Sequence, residues 1–416
     1  MSRGRPIARR PTVAAFTATA LSTVAIALSL SGCELGDDGL TGLQDSAGNS
    51  DFARGTGSPA LATKNTVRIP GEDTVGNAAG AALTVYPSSG AATRPKIISV
   101  VEKHDWRAAV TMGVLSARQL GAPILLSEKD DVPDITKSAL DALAPIGTTI
   151  PGLVLKPKAL VAGTAAVPEN VARINLANET YEKLSLSVDA LWTKINAGKP
   201  SREVIVTTAD PNFARFALPA GPLAAKTGAP VFFVNKDVVP LATLRAIEKH
   251  KKPSIYVVGP PRAISDQLLK RLKRYGNVSR IGGDTPPENA KQAALYVDPD
   301  SEWGWGIDNP GHGFVVMNAK REMDIAAATT LSAGAAFGPV LLNSSPGKLD
   351  KTLENYLLDI QPGYIDDPSD AVYNRAWLLG AEHLLSPELQ AAIDKLLAVQ
   401  PIAGETAEAT AETGGI

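Results

Sequence analysis

The runs Val204-Ile205-Val206-Thr207-Thr208, Gly228-Ala229-Pro230-Val231-Phe232-Phe233-Val234 and Ile255-Tyr256-Val257-Val258-Gly259 decide the fold of this 416-residue chain. Each is short, apolar and rich in β-branched or aromatic residues, which reads as a strand buried on both faces. Between the first two, a polar loop through Asp210, Pro211 and Asn212 leads into Phe213 to Thr227, whose apolar residues recur at helical spacing. Gly228 then supplies the left-handed stop that a helix end favours. Val239 to His250 reads as a second helix before the third strand. Such strands pair in parallel, because each crossover helix must carry the chain back to the same end of the sheet. Glu203 to Ile281 is therefore one small Rossmann-like unit.

The same pattern returns on both sides. Gly121-Ala122-Pro123-Ile124-Leu125-Leu126 matches Gly228-Ala229-Pro230-Val231-Phe232-Phe233, and both match Phe337-Gly338-Pro339-Val340-Leu341-Leu342. A strand that ends in glycine occurs as Leu160-Val161-Ala162-Gly163, as Tyr256-Val257-Val258-Gly259 and as Trp377-Leu378-Leu379-Gly380. An Arg-Ile pair precedes a polar turn and a helix at Arg68-Ile69, Arg173-Ile174 and Arg280-Ile281. A period of roughly one hundred residues is too long for a solenoid and fits tandem copies of a small domain. The expected fold is α/β, with three tandem Rossmann-like subdomains, each a short and mainly parallel sheet flanked by helices, packed pseudo-threefold. The copies are set at 66–170, 171–277 and 278–397.

In order and content these markers resemble the cell wall-binding repeat 2 family, over roughly Val67 to Leu397. Arg280-Ile281-Gly282-Gly283-Asp284 and Arg68-Ile69-Pro70-Gly71-Glu72-Asp73 follow the family's opening turn, whereas Arg173-Ile174-Asn175 departs from it. The family's Asp-Ala-Leu stretch keeps its acid only in Met323-Asp324-Ile325-Ala326, with Ala108-Ala109 and Phe216-Ala217 in its place elsewhere. The resemblance implies non-catalytic binding of a cell-wall polymer, an anionic glycopolymer, through weak contacts spread over three copies.

The chain opens with Arg3, Arg5, Arg9 and Arg10, an apolar run from Val13 to Leu30, and Leu30-Ser31-Gly32-Cys33. This order of charge, apolar core and small residues reads as a secretion signal over 1–33. It resembles a bacterial lipobox, in which Cys33 would be lipidated and anchor the protein to the extracytoplasmic face of the membrane; a transmembrane anchor is the other reading. Residues 34–65 are rich in Gly, Ser, Asp, Ala and Thr and are expected to form a flexible tether, and 398–416 a flexible tail. Cys33 is the one cysteine, so no intramolecular disulfide can form.

A leader with four Arg and no acid takes the balance of 41 basic and 43 acidic residues from −2 to about −6. That sign argues against a nucleic-acid partner. His104, His250, His312 and His383 are never paired at helical ligand spacing, so neither a metal nor any other cofactor is expected. There is no nucleophile elbow and no Walker loop, and Gly311-His312-Gly313 precedes a strand where a dinucleotide turn would follow one. A non-catalytic binder fits better than an enzyme.

In open parallel sheets ligands sit beyond the carboxyl ends of the strands. There the chain offers Ser127-Glu128-Lys129, Asn235-Lys236-Asp237 and Asn343-Ser344-Ser345. Lys129, Asn235, Lys236 and Asn343 are thus candidate ligand contacts. Arg68, Arg173 and Arg280 join them for their planar fork, although an arginine at a repeat seam can equally pair with protein groups. Trp303 and Trp305, flanked by glycine, could stack on a sugar ring or plug the seam between copies two and three. Gly147 to Lys158, absent from copy two, reads as a surface loop or a binding loop. Asp366, Asp367 and Asp370 read as a solvated turn. The alternative function is a solute-binding or scaffold lipoprotein for an envelope metabolite or partner protein. Oligomeric state is left open.

Overall fold

The computed structural model describes residues 62–402 except 153, 178, 335 and 336. The leader, Cys33, the tether up to residue 61 and the tail from 403 lie outside the described residues. Among the described residues no helix is long and apolar enough to cross a membrane.

The chain begins with β1 (Thr66–Ile69) and α1 (Thr74–Val85). A first run follows as β2 (Ile98–Glu102), α2 (Trp106–Ser116), β3 (Ile124–Ser127), α3 (Asp134–Leu143), β4 (Ala159–Val161), β5 (Arg173–Asn175) and α4 (Tyr181–Ile195). The second comprises β6 (Glu203–Thr208), α5 (Ala214–Ala217), α6 (Ala220–Thr227), β7 (Val231–Val234), α7 (Leu241–Lys249), β8 (Ser254–Val258), α8 (Asp266–Leu272), β9 (Asn277–Ile281) and α9 (Pro286–Leu295). The third comprises β10 (Gly313–Asn318), α10 (Ile325–Ser332), β11 (Val340–Asn343), α11 (Lys351–Asp359), β12 (Gly363–Tyr364), β13 (Arg375–Leu379), α12 (Pro387–Leu397) and β14 (Gln400–Pro401).

These strands build three four-stranded sheets of one design, ordered β3-β2-β4-β5, β7-β6-β8-β9 and β11-β10-β13-β1. Every ladder in them is parallel. In each, the outer strand on one side is the Arg-Ile strand that opens the next sequence repeat. For the third sheet that strand is β1, the first of the chain, which pairs Val67 with Trp377 and Ile69 with Leu379. Sequence repeat and sheet are therefore out of step by one strand, and the start of the chain is stitched into its last sheet.

Apolar runs make these strands because both faces are covered: Val204, Ile205 and Val206 are each fully buried. The helices that follow the first strand of each sheet, α2, α6 and α10, pack against one another in all three pairings. Small residues permit it. A side-chain carbon on Gly113 of α2 would meet the Gly221 carbonyl oxygen of α6 at 2.6 Å, and one on Gly221 would meet Thr329 Oγ1 of α10 at 2.7 Å. The surrounding core is dominated by alanine, including Ala108, Ala109, Ala217, Ala224, Ala326 and Ala327.

Some expectations need correction. The helix read over Phe213 to Thr227 is a 3₁₀ turn at Pro211–Phe213 and two short helices, broken at Leu218 and Pro219 because proline cannot continue the ladder of the preceding turn. The end of the expected tether is docked: the Asn65 backbone N–H donates to Asp394 Oδ1 at 2.7 Å, and Asn65 is 4% exposed. The expected tail begins with β14, which pairs Gln400 with Gly363 and Tyr364 with Pro401.

Candidate functional site

The three arginines of the outer strands occupy equivalent places with different surroundings. On β9, Arg280 Nη1 donates to the Gly259 carbonyl at 2.6 Å and Nη2 to the Ile264 carbonyl at 2.8 Å, with Asp266 Oδ1 at 3.0 Å. On β1, Arg68 Nη1 donates to the Gly380 carbonyl at 2.5 Å, and Nη2 to the Leu385 carbonyl at 2.7 Å and Gln390 Oε1 at 3.0 Å. Each fork staples the glycine turn after a neighbouring strand to the head of the helix that follows, α8 or α12. Arg68 is 1% exposed, and burial holds its pKa below the usual arginine value, with Glu382 opposing. These two guanidiniums are committed to protein groups.

The first sheet differs. Between β4 and β5 there is no helix equivalent to α8 and α12; Gly163 to Ala172 is an irregular loop. With no helix head to staple, Arg173 stays exposed, donating from Nη1 to the Pro168 carbonyl at 3.3 Å. The vacated space is an open cleft of about 530 Å³ at the carboxyl ends of β4 and β5, lined by Lys129, Thr164, Glu169, Arg173 and Asn175 among others. Two cations, a hydroxyl and an amide around one acid suit an anionic, hydroxylated ligand, to which exposed Arg173 can offer its planar fork by giving up its one 3.3 Å bond to Pro168.

The cleft brings together two of the candidates read from sequence, Lys129 and Arg173. The others lie elsewhere. Asn343 is buried and pins its own loop, donating from Nδ2 to the Ser345 carbonyl at 2.6 Å and the Lys348 carbonyl at 3.0 Å while Oδ1 accepts from the Asp350 N–H at 2.8 Å. Asn235 and Lys236 are exposed beyond β7, where the Lys236 carbonyl accepts from the Ser265 N–H that leads into α8. Trp303 is 7% exposed and stacks on Tyr256 with ring centroids 3.7 Å apart, while the Tyr256 hydroxyl donates to Asp298 Oδ2 at 3.0 Å. Trp305 is half-buried with the Lys226 ammonium 5.2 Å above its ring. Both indoles pack within the protein. Thr164 and Asn175 escaped the sequence reading; the signal for them is the lack of helical spacing between Gly163 and Arg173.

Asp324, the surviving acid of the Asp-Ala-Leu stretch, lies at the head of α10, fully buried, where Oδ1 accepts from Asn77 Nδ2 of α1 at 2.9 Å. Asn289, which stands on α9 where Asn77 stands on α1, donates to the Phe216 carbonyl at 2.9 Å. The acid thus serves a seam between α1 and the third run.

Residues 174–269 match the family described as Cell wall binding domain 2 (CWB2). That match spans under a quarter of the chain. The matched segment starts in β5 and ends in α8, so CWB2 runs in step with the sequence repeat and not with the sheet. The chain is 34% identical over 121 residues to the amidase enhancer of Bacillus subtilis (strain 168), covering 28% of this chain and 16% of that protein. It is 24% identical over 341 residues to the N-acetylmuramoyl-L-alanine amidase LytC of the same organism, covering 76% of this chain and 64% of LytC. Among solved structures, Cwp6 from Clostridium difficile superposes with a TM-score of 0.60 at 16% identity, over 81% of this chain and 50% of that one. Cwp8 from Clostridium difficile gives 0.58 at 14% identity, over 80% and 52%. The fold beyond the CWB2 segment is thus shared with these proteins, and the chain spans about half of their length.

Proposed function

We propose that this chain is a non-catalytic extracytoplasmic lipoprotein, anchored through Cys33, that holds an anionic glycopolymer of the cell wall. The reading rests on one observation above all: the CWB2 segment supplies three of the four strands of one of three sheets of identical strand order, and the first sheet has its outer arginine uncovered in an open cationic cleft. The cleft is wide and polar where a solute-binding protein would want a deep apolar pocket. We take the copies to run 66–170, 171–277 and 278–397, arranged pseudo-threefold about the contact of α2, α6 and α10.

A polymer engages such a protein repeatedly, so weak contacts at several copies add through effective concentration. Arg173 and Lys129 are assigned the strongest of these contacts; exposed Asn235 and Lys236 offer a second, weaker place. Purified residues 34–416 are expected to sediment with cell walls of the source organism at low ionic strength and to be released by salt. The double variant Lys129→Ala/Arg173→Ala should bind about ten-fold less with unchanged thermal unfolding. Protein that stays soluble with those walls at low salt refutes the reading.

A further inference from the structure

The end of the first sheet opposite the cleft carries a feature that polymer binding leaves unused. Two loops meet there, the approach to β2 and the Gly147 to Lys158 insertion before β4. They are tied together by backbone bonds from Ile146 N–H to the Pro95 carbonyl at 3.2 Å and from Gly147 N–H to the Lys96 carbonyl at 2.9 Å. The insertion is built, not trailing: Ile150 is 1% exposed in the core, Pro145 and Pro157 are buried, and Thr148 N–H bonds the Pro157 carbonyl at 3.1 Å.

From this base the insertion turns aliphatic side chains to the outside. Val154 is fully exposed, and Ile146 and Leu155 are each 52% exposed. Around them stand Arg94, Lys96, Lys156 and Lys158, all exposed. Neither residues 74–101 nor residues 142–168 contain an Asp or Glu, in a chain whose charge is negative as a whole; the nearest acids in sequence, Asp141 and Glu169, flank the insertion. An aliphatic tip inside a collar of four cations, with Asp141 the acid that shares a hollow with Lys158, is the pattern of an interfacial anchor, in which apolar side chains enter the acyl boundary and basic ones meet anionic headgroups. A hydroxylated anionic polymer would satisfy the collar and leave the tip in water.

We infer that the tip Ile146, Val154 and Leu155, with its collar Arg94, Lys96, Lys156 and Lys158, docks on an anionic lipid surface. The docked face lies at the amino ends of β2 and β4, so the cleft of Arg173 and Lys129 at their carboxyl ends points away from the bilayer and toward the wall. If Cys33 is lipidated, the anchor and this face would share one membrane. The inference shares that anchor with the proposed function but does not need it for its test.

The test uses residues 34–416, which retain every described contact, and vesicles of phosphatidylcholine with or without roughly one third phosphatidylglycerol. Sedimentation should carry down about five-fold more protein with the anionic vesicles. Val154→Asp/Leu155→Asp should reduce that to the neutral-vesicle level with its unfolding temperature intact, because both side chains lie outside the core. Lys156→Glu/Lys158→Glu should do the same, and both variants should still sediment with cell walls. Equal binding to the two vesicle types, or full vesicle binding by Val154→Asp/Leu155→Asp, overturns the inference. So does loss of wall binding in either variant, which would give this face to the polymer. Failure of wall binding by the parent chain alone would strike the proposed function and leave the lipid face standing.

Discussion

Asn77 Nδ2 donates to Asp324 Oδ1 at 2.9 Å across the seam where α1 meets the third run, while the other carboxylate oxygen, also buried, has no hydrogen-bond partner among the described residues. Burial raises the Asp324 pKa to about 6, with Arg321 and Asn77 opposing and Asp73 adding to the rise. A carboxyl whose folded pKa lies above its unfolded one binds its proton more tightly in the native state. Its stabilisation is complete below pH about 4 and is lost as pH rises through about 6. Unfolding by urea should therefore show higher stability at pH 5 than at pH 8, by about 1.4 kcal/mol. Asp324→Asn keeps an acceptor for Asn77 and should flatten that part of the profile.

His250 lies with Nε2 3.2 Å from Asp189 Oδ1 and Nδ1 2.8 Å from the Ser201 carbonyl. Burial alone would lower its pKa, but Asp189 and the Ser201 carbonyl outweigh it and the result is raised. The stabilisation it supplies is present below its unfolded value and fades as pH climbs through the folded one. Asp189→Asn should thus depress the melting temperature more at pH 6 than at pH 8.

Arg68 and Arg173 occupy equivalent places but should respond differently to one substitution. Arg68→Met strands the carbonyls of Gly380 and Leu385 in a buried site and should cost about 2–4 kcal/mol in chemical unfolding. Arg173→Met, at an exposed position, should shift stability by no more than about 0.5 kcal/mol and act instead on wall sedimentation.

Gly221→Ala places a methyl group 2.7 Å from Thr329 Oγ1 at the meeting of α6 and α10. Overpacking there should destabilise by about 1–3 kcal/mol in urea. Thr329→Ser keeps the hydroxyl, so combining the two should recover little.

The sheets were legible because both their faces are covered, which turns strands such as Val231–Val234 into unbroken apolar runs. The markers Gly-Ala-Pro and Arg-Ile recur because they do mechanical work, the first opening an edge strand and the second, in two of the three sheets, stapling a turn. Which sheet takes each Arg-Ile strand was hidden, since Thr66–Ile69 carries the same pattern whether it pairs nearby or with Ala376–Leu379. The cleft was hidden for a different reason. It arises from a missing helix, and Lys129 and Arg173 become neighbours only once Gly163 to Ala172 fails to cover them.

The stitching of Thr66–Ile69 into the last sheet also sets the order of assembly. Its partners lie roughly three hundred residues downstream, a loop whose closure is slow as well as entropically costly. A chain emerging from its N-terminus holds its first strand unmatched until its last sheet exists. Any product truncated before Arg375 leaves Val67 and Ile69 on a bare edge, where sticky backbone invites proteolysis or clumping. Completion of synthesis is thereby a precondition for hiding the very first strand made.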